Sequence, residues 1–153
     1  MPGSCSTRPV RVADHDAWRH LWDGYNAFYG RSGATALAEA TTRATWSRFL
    51  DDAEPLHAFV AEREGSLLGL AHCVLHPSTT AIAPSCYLQD LYTDEAARGS
   101  GVARALIETV CRFARQTGCA RVYWQTHEDN AIARRLYDRM AERSGFIVYR
   151  RAP

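Results

Sequence analysis

The chain has 153 residues, of which 46% are hydrophobic and 23% charged, with a formal net charge of +1. That balance excludes a disordered chain, and the small net charge argues against a dedicated nucleic-acid binder, which carries a marked basic excess. No apolar run is long enough to span a bilayer, and a single domain over residues 1–153 is expected.

All 18 basic residues are arginine. Five cysteines (Cys5, Cys73, Cys86, Cys111 and Cys119) form an odd set without a CxxC pair, so neither a disulfide framework nor a metal site is expected. Four of them lie in apolar runs, where a free cysteine behaves as a small hydrophobe. Met1–Arg8 lacks the charged-then-apolar build of a signal peptide. A reducing cytoplasm is the expected location.

In chain order, Thr7–Ala13 alternates and predicts an opening strand, which Pro9 places at a sheet edge. Asp14 offers an N-cap to an amphipathic helix over Ala17–Tyr29, where Trp18, Leu21, Trp22, Tyr25 and Phe28 recur at helical spacing. Gly30 to Gly33 breaks it, and a second helix is expected from Ala36 to Leu50. His57–Arg63 and Ser66–His76 predict two strands joined by a tight turn at Glu64-Gly65. Ser85–Thr93 reads as another long strand. Val102–Gln116 keeps Leu106, Val110, Phe113 and Ala114 on one face, with Gly118 just past its end, and predicts a strong helix. Ala120–Thr126 reads as a strand, Asn130–Arg143 as a helix and Gly145–Arg150 as a closing strand. The order β-α-α-β-β-β-α-β-α-β predicts an α/β chain with a mixed sheet.

The most informative stretch is Arg98-Gly99-Ser100-Gly101-Val102-Ala103, between a strand and a helix. Two glycines opening a helix leave backbone N–H groups free at a positive dipole end, which suits a phosphate or pyrophosphate. A P-loop needs a lysine after its glycines, and this chain has none. A dinucleotide fingerprint needs GxGxxG in the first βα unit, whereas this loop lies two-thirds along the chain and lacks the third glycine. A turn chosen only for its geometry stays open on these grounds.

The R-x-x-G-x-A spacing of this loop resembles the pyrophosphate loop of the GNAT superfamily of acetyl-CoA-dependent N-acetyltransferases. The wider pattern YLQDLYT…RGSGVA…VYWQT…N…LY…GFIVYRR, from Cys86 to Arg151, resembles the diamine/polyamine and the histone-and-polyamine acetyltransferases. The resemblance implies an acyl-CoA N-acyltransferase fold, a homodimer and acetyl-CoA as cosubstrate. By the same resemblance, the backbone of Leu91, Tyr92 and Thr93 pairs with the pantetheine arm. Arg98, Gly99, Ser100, Gly101, Val102, Ala103 and Arg104 then hold the pyrophosphate, Asn130 bonds near the thiol end, and Tyr137 protonates the departing thiolate.

Polyamine acetyltransferases carry Glu-Asp where this chain has Gln89-Asp90. Alternation along a strand puts positions 89 and 90 on opposite faces, so Asp90 does not simply replace an acid at 89. Asp90 is the catalytic candidate for removing the amine proton, with His72, His76 or a water chain as other routes. The resemblance implies a small-molecule amine acceptor, first a polyamine or similar cationic amine. Asp14, Asp16, Asp23, Asp51, Asp52 and Glu54, with Trp22, Tyr25 and Tyr29, would line a groove for it through charge and cation–π contact. Aminoglycosides, amino acids and protein lysines or N-termini remain open as acceptors. A non-catalytic acyl-CoA sensor is the competing reading, prompted by Gln89.

Overall fold

The computed structural model describes residues 3–153. The reading of Met1–Arg8 as carrying no signal peptide therefore falls partly outside the described residues, at Met1 and Pro2. Among the described residues, five strands make one sheet in the order β1-β2-β3-β4-β5. They are β1 (Ser6–Pro9), β2 (Leu56–Arg63), β3 (Ser66–His76), β4 (Ser85–Thr93) and β5 (Arg121–Tyr123). The first four run antiparallel to their neighbours, while β5 lies parallel to β4. The sheet is mixed, as the element order predicts. The α-helices of the described residues cover it: α1 (His15–Phe28), α2 (Glu39–Phe49), α3 (Val102–Gln116) and α4 (Ala131–Met140).

The alternation of β3 divides two apolar layers. Ala71 and Cys73 point to one face, where Val102, Leu106, Ile107 and Val110 of α3 are fully buried with Cys86 and Leu88. Leu70 points to the other face, against Trp18, Leu21, Trp22 and Tyr25 of α1. Burying each large aliphatic side chain contributes about 1.5–3 kcal/mol, so both helices are clamped to the sheet. At Gly69 a Cβ would stand 2.7 Å from the Tyr92 carbonyl oxygen and 2.8 Å from a Val102 methyl. Glycine there lets the first turn of α3 close onto β3 and β4.

Local signals account for the ends of these elements. Glu64 and Gly65 both have positive φ, 51° and 79°, as a two-residue type I′ hairpin turn requires. Gly118 follows α3 with φ 77°, and Cys119 N–H donates to the Ala114 carbonyl at 2.8 Å. That is a Schellman stop.

Five expectations need correction. The opening strand ends at Pro9, not Ala13, because Val12–Asp14 turns as a 3-10 helix. Asp14 closes that turn by accepting the Arg11 N–H and does not cap α1 with its side chain. The strand expected over Ala120–Thr126 shrinks to Arg121–Tyr123. It pairs only with Ser85–Tyr87, short of the irregularity at Gln89 in the pairing of β3 with β4. Finally, α4 ends at Met140, and Gly145–Arg150 forms no strand. Phe146, Ile147, Val148 and Tyr149 are each more than two-thirds exposed; they have strand composition but pair with no strand among the described residues.

Candidate active site

The glycine loop joins the end of β4 to the start of α3. Gly99 and Gly101 hold φ of 77° and 85°, a left-handed conformation that costs other residues energy. A Cβ at either would meet nothing within 4 Å, so glycine serves backbone conformation here. Gly101 is the N-cap residue of α3 and no side chain caps it. The first helical bond runs from Ala105 N–H to the Gly101 carbonyl at 3.1 Å. The amides of Val102, Ala103 and Arg104 are therefore left open at the positive end of the helix. Arg98 borders the loop, its guanidinium 5.9 Å from the centre of the Tyr92 ring. The structure thus brings Leu91–Thr93 and Arg98–Arg104 together.

A cleft opens where β4 and β5 part. Their pairing stops at Tyr87 and Tyr123, so the backbone after Tyr87 has no strand partner on the β5 side among the described residues. Leu88, Gln89 and Leu91 form one wall of the cleft, with Trp124, Gln125, Thr126 and Tyr137 opposite. Tyr25 and Tyr29 of α1 reach its end. The Tyr137 ring meets Trp124 edge-on at 5.6 Å. Burial, with a smaller contribution from nearby Tyr29, pushes the Tyr137 phenol up to about 12. It is a protonated donor at neutral pH. Asn130 is placed at the start of α4, where its Oδ1 accepts from Ala133 N–H at 3.4 Å as a helix cap.

The bulge in β4 decides where Asp90 goes. His72 pairs with Asp90 and Cys73 with Leu88, so Gln89 is the extra residue. Gln89 is exposed to the cleft, while Asp90 is 9% exposed under α1. Asp90 Oδ2 lies 2.8 Å from His72 Nδ1, and Trp18 Nε1–H donates to His72 Nε2 at 3.0 Å. Tyr25 lines the cleft, and burial followed by the negative charge of nearby Asp90 pushes its phenol well above the ordinary tyrosine range.

The remaining candidates lie apart. His76 bonds the Tyr123 hydroxyl at 2.7 Å and the Pro77 carbonyl at 2.8 Å. His72 and His76 are four residues apart on a strand, a separation of roughly 13 Å, which suits no shared metal. No cluster of three or more metal-ligating side chains occurs among the described residues. The acidic groove does not assemble: Asp14 is paired with Arg8, Asp16 with His15 and Asp23 with Arg19. Trp22 is buried, donating to Thr42 Oγ1. Only Tyr25 and Tyr29 of the expected groove reach the cleft.

Three features escape a sequence reading: the Trp18–His72 bond, the Gln89 bulge and Arg31. The Arg31 guanidinium lies 5.7 Å and 5.4 Å from the Tyr25 and Tyr29 ring centres. Its Nε donates to Asn26 Oδ1 at 2.7 Å. The helical spacing of Trp18 and Tyr25 announces a buried face, but nothing local announces their polar partners.

An open helix N-terminus and a parted strand pair carry most of what an acyl-CoA needs, and the comparisons with known proteins agree. Residues 15–141 match the acetyltransferase (GNAT) family model. The chain belongs to the GNAT family. The D-amino-acid N-acetyltransferase of Saccharomyces cerevisiae is 32% identical to it over 146 residues, covering 94% of this chain and 88% of that protein. A solved probable acetyltransferase superposes with a TM-score of 0.81 at 23% identity, covering 97% of each chain. An aminoglycoside N-acetyltransferase solved with a CoA-linked bisubstrate analogue superposes at 0.80 with 19% identity, covering 99% of each chain; this likeness concerns the fold. The GNAT protein is an N-acetyltransferase, and acetyl-CoA is its acetyl donor. The residues present fit that donor: free amides at α3 suit its pyrophosphate, and the unpaired edge of β4 suits an extended amide-bearing arm.

Proposed function

We propose that this GNAT acetyltransferase acetylates a small primary amine in the cleft between β4 and β5, with Asp90 accepting the amine proton through Tyr25 and Tyr137 protonating the thiolate. The observation that carries this reading is that Tyr137 and Tyr25 line one cleft, with Tyr25 near enough to Asp90 to feel its charge. An alkylammonium titrates near ~10 and must lose a proton before it can attack. That proton passes to the Tyr25 oxygen as the Tyr25 proton passes to Asp90. The amine nitrogen then bonds the thioester carbonyl carbon, and as the C–S bond breaks the nitrogen sheds its second proton to solvent, leaving a neutral amide. The departing sulfur takes the Tyr137 proton, and solvent returns a proton from Asp90 to Tyr137. The amides of Val102, Ala103 and Arg104 hold the donor, and Arg98 adds charge beside them.

The polyamine acceptor expected from the sequence draws support from Tyr25 and Tyr29, whose ring faces suit an alkylammonium. A second acceptor class, an amine that also carries a carboxylate, is favoured by Arg31. Its terminal nitrogens donate to no protein group among the described residues, and a planar guanidinium pairs with a carboxylate bidentately. Dispersal of the expected acidic groove weighs the same way, as does the D-amino-acid acceptor in the yeast relative's name. Thiol release measured with amino acids and with polyamines tests the choice. Arg31→Ala raises KM for amino acids and leaves polyamine kinetics unchanged if the carboxylate reading holds.

The homodimer reading draws support from the exposed run Phe146–Tyr149 and from the free edge of β5. We infer that this segment pairs with a second copy of the chain. A cytoplasmic location draws support from the five free cysteines, which suit a reducing compartment.

A further inference from the structure

We infer that Trp18 and His72 are positioning residues that keep Asp90 ready to accept a proton, an inference that rests on Asp90 being the acceptor of the amine proton. The chain of contacts is short and enclosed. Trp18 is 0% exposed and His72 2% exposed. An indole nitrogen only donates, so the Trp18 N–H at 3.0 Å requires a lone pair on His72 Nε2. The imidazole proton must then sit on Nδ1, which donates to Asp90 Oδ2 at 2.8 Å. The hydrogen bond at one ring nitrogen thereby selects the state of the other.

Neither alternative state of the ring fits its surroundings. With the proton on Nε2, two N–H groups would oppose each other at Trp18 and two lone pairs would oppose each other at Asp90. With both nitrogens protonated, the clash at Trp18 remains and His72 becomes a cation. A cation there would pair with the carboxylate and make it a poorer proton acceptor. Trp18 blocks that state, so Asp90 is oriented by a neutral donor and its charge stays uncompensated on that side. Phe49 and Trp22, with ring centres 4.4 Å and 5.3 Å from the imidazole, confine the ring.

The groups facing this pair are few. Tyr25 and Tyr29 of α1 and Tyr87 of β4 feel the Asp90 charge, and Arg31 acts on the two α1 tyrosines. From β2, the residue opposite His72 is Ala58; α2 presents Phe49. Among these groups, His72 is the one hydrogen-bonded directly to Asp90.

The first test is nitrogen NMR on histidine-labelled protein near pH 7.5, with His72→Asn identifying the resonance. A lone-pair signal at Nε2 and a proton on Nδ1 is expected; the opposite tautomer, or a cation, overturns the inference. The second test is the pH profile of kcat/KM. Trp18→Phe frees Nε2 to bind a proton, and the acid limb is expected to move to higher pH. The same change in a His72→Asn background is expected to leave the limb in place, because no titrating ring is left. His72→Asn keeps an N–H near the Nδ1 position and should retain most of the rate, whereas His72→Leu should lose roughly 10- to 100-fold. If all these variants lose rate equally with unshifted profiles, the pair is only structural and the inference fails. Asp90→Asn separates the underlying reading, since full activity in that variant removes Asp90 itself while the NMR result stands apart.

Discussion

Gln89 and Asp90 are neighbours in β4, but a bulge leaves Gln89 open to the cleft and puts Asp90 beneath α1, bonded to His72. A carboxylate at 89 would meet the acceptor directly. On the proposed route one at 90 meets it through Tyr25, and the loss of acid at 89 then costs no proton acceptor. Asp90→Asn is therefore expected to lower kcat by about 10²–10⁴-fold, while Gln89→Ala stays near the wild-type rate. Steady-state kinetics at saturating acetyl-CoA decides between them.

Tyr137→Phe removes the hydroxyl proposed to protonate the departing thiolate without removing the ring that rests on Trp124. A loss of about 10²-fold in kcat is expected, with acetyl-CoA binding by calorimetry unchanged. The pH dependence has a definite sign. Burial raises this phenol to about 12, so the active, protonated form persists above the ordinary tyrosine value near ~10. No alkaline fall from Tyr137 is expected until the pH approaches that raised value.

Gly101→Ala tests the pyrophosphate loop. The residue sits at φ 85° with open space around it, so the cost is backbone strain of roughly 1–2 kcal/mol. Thermal unfolding reads that loss. Calorimetry is expected to show weaker acetyl-CoA binding as well, because the amides of Val102 and Ala103 move with the cap.

Asp14 is the acid-sensitive point of the fold. Its hydrogen bond with Arg8, and then the Arg11 N–H, hold its carboxyl below the ordinary value. A depressed folded value means stability that is present above the unfolded carboxylate value, near ~3.9, and lost as pH falls through the folded one. Melting temperatures of Asp14→Asn should be lower at neutral pH, and the gap to wild type should narrow in strong acid.

Removal of residues 145–153 tests the exposed tail. Light scattering after size exclusion is expected to show a dimer for the full chain and a monomer for the shortened one. Equal masses overturn the strand-pairing reading.

How far the sequence reaches depends on whether a signal is local. Val102–Gln116 was legible to the residue because Gly101 and Gly118 bracket an apolar stripe. Ser66–His76 and Ser85–Thr93 were legible from alternation and bounding turns. The short β5 and the unpaired tail were not, because strand composition says nothing about an available partner. The glycine loop was readable from its spacing. The Asp90 environment was not, since His72 comes from another strand, Trp18 and Tyr25 from a helix, and the bulge that sets their register leaves no mark in local composition.

The most direct test is free-thiol release from acetyl-CoA with a panel of D- and L-amino acids, spermidine and putrescine, run on wild type, Tyr137→Phe and Asp90→Asn. Amine-dependent release by wild type, strongly reduced in both variants, is the expected result. Amine-dependent release that both variants retain in full would contradict the assignment of Asp90 and Tyr137 to the chemistry.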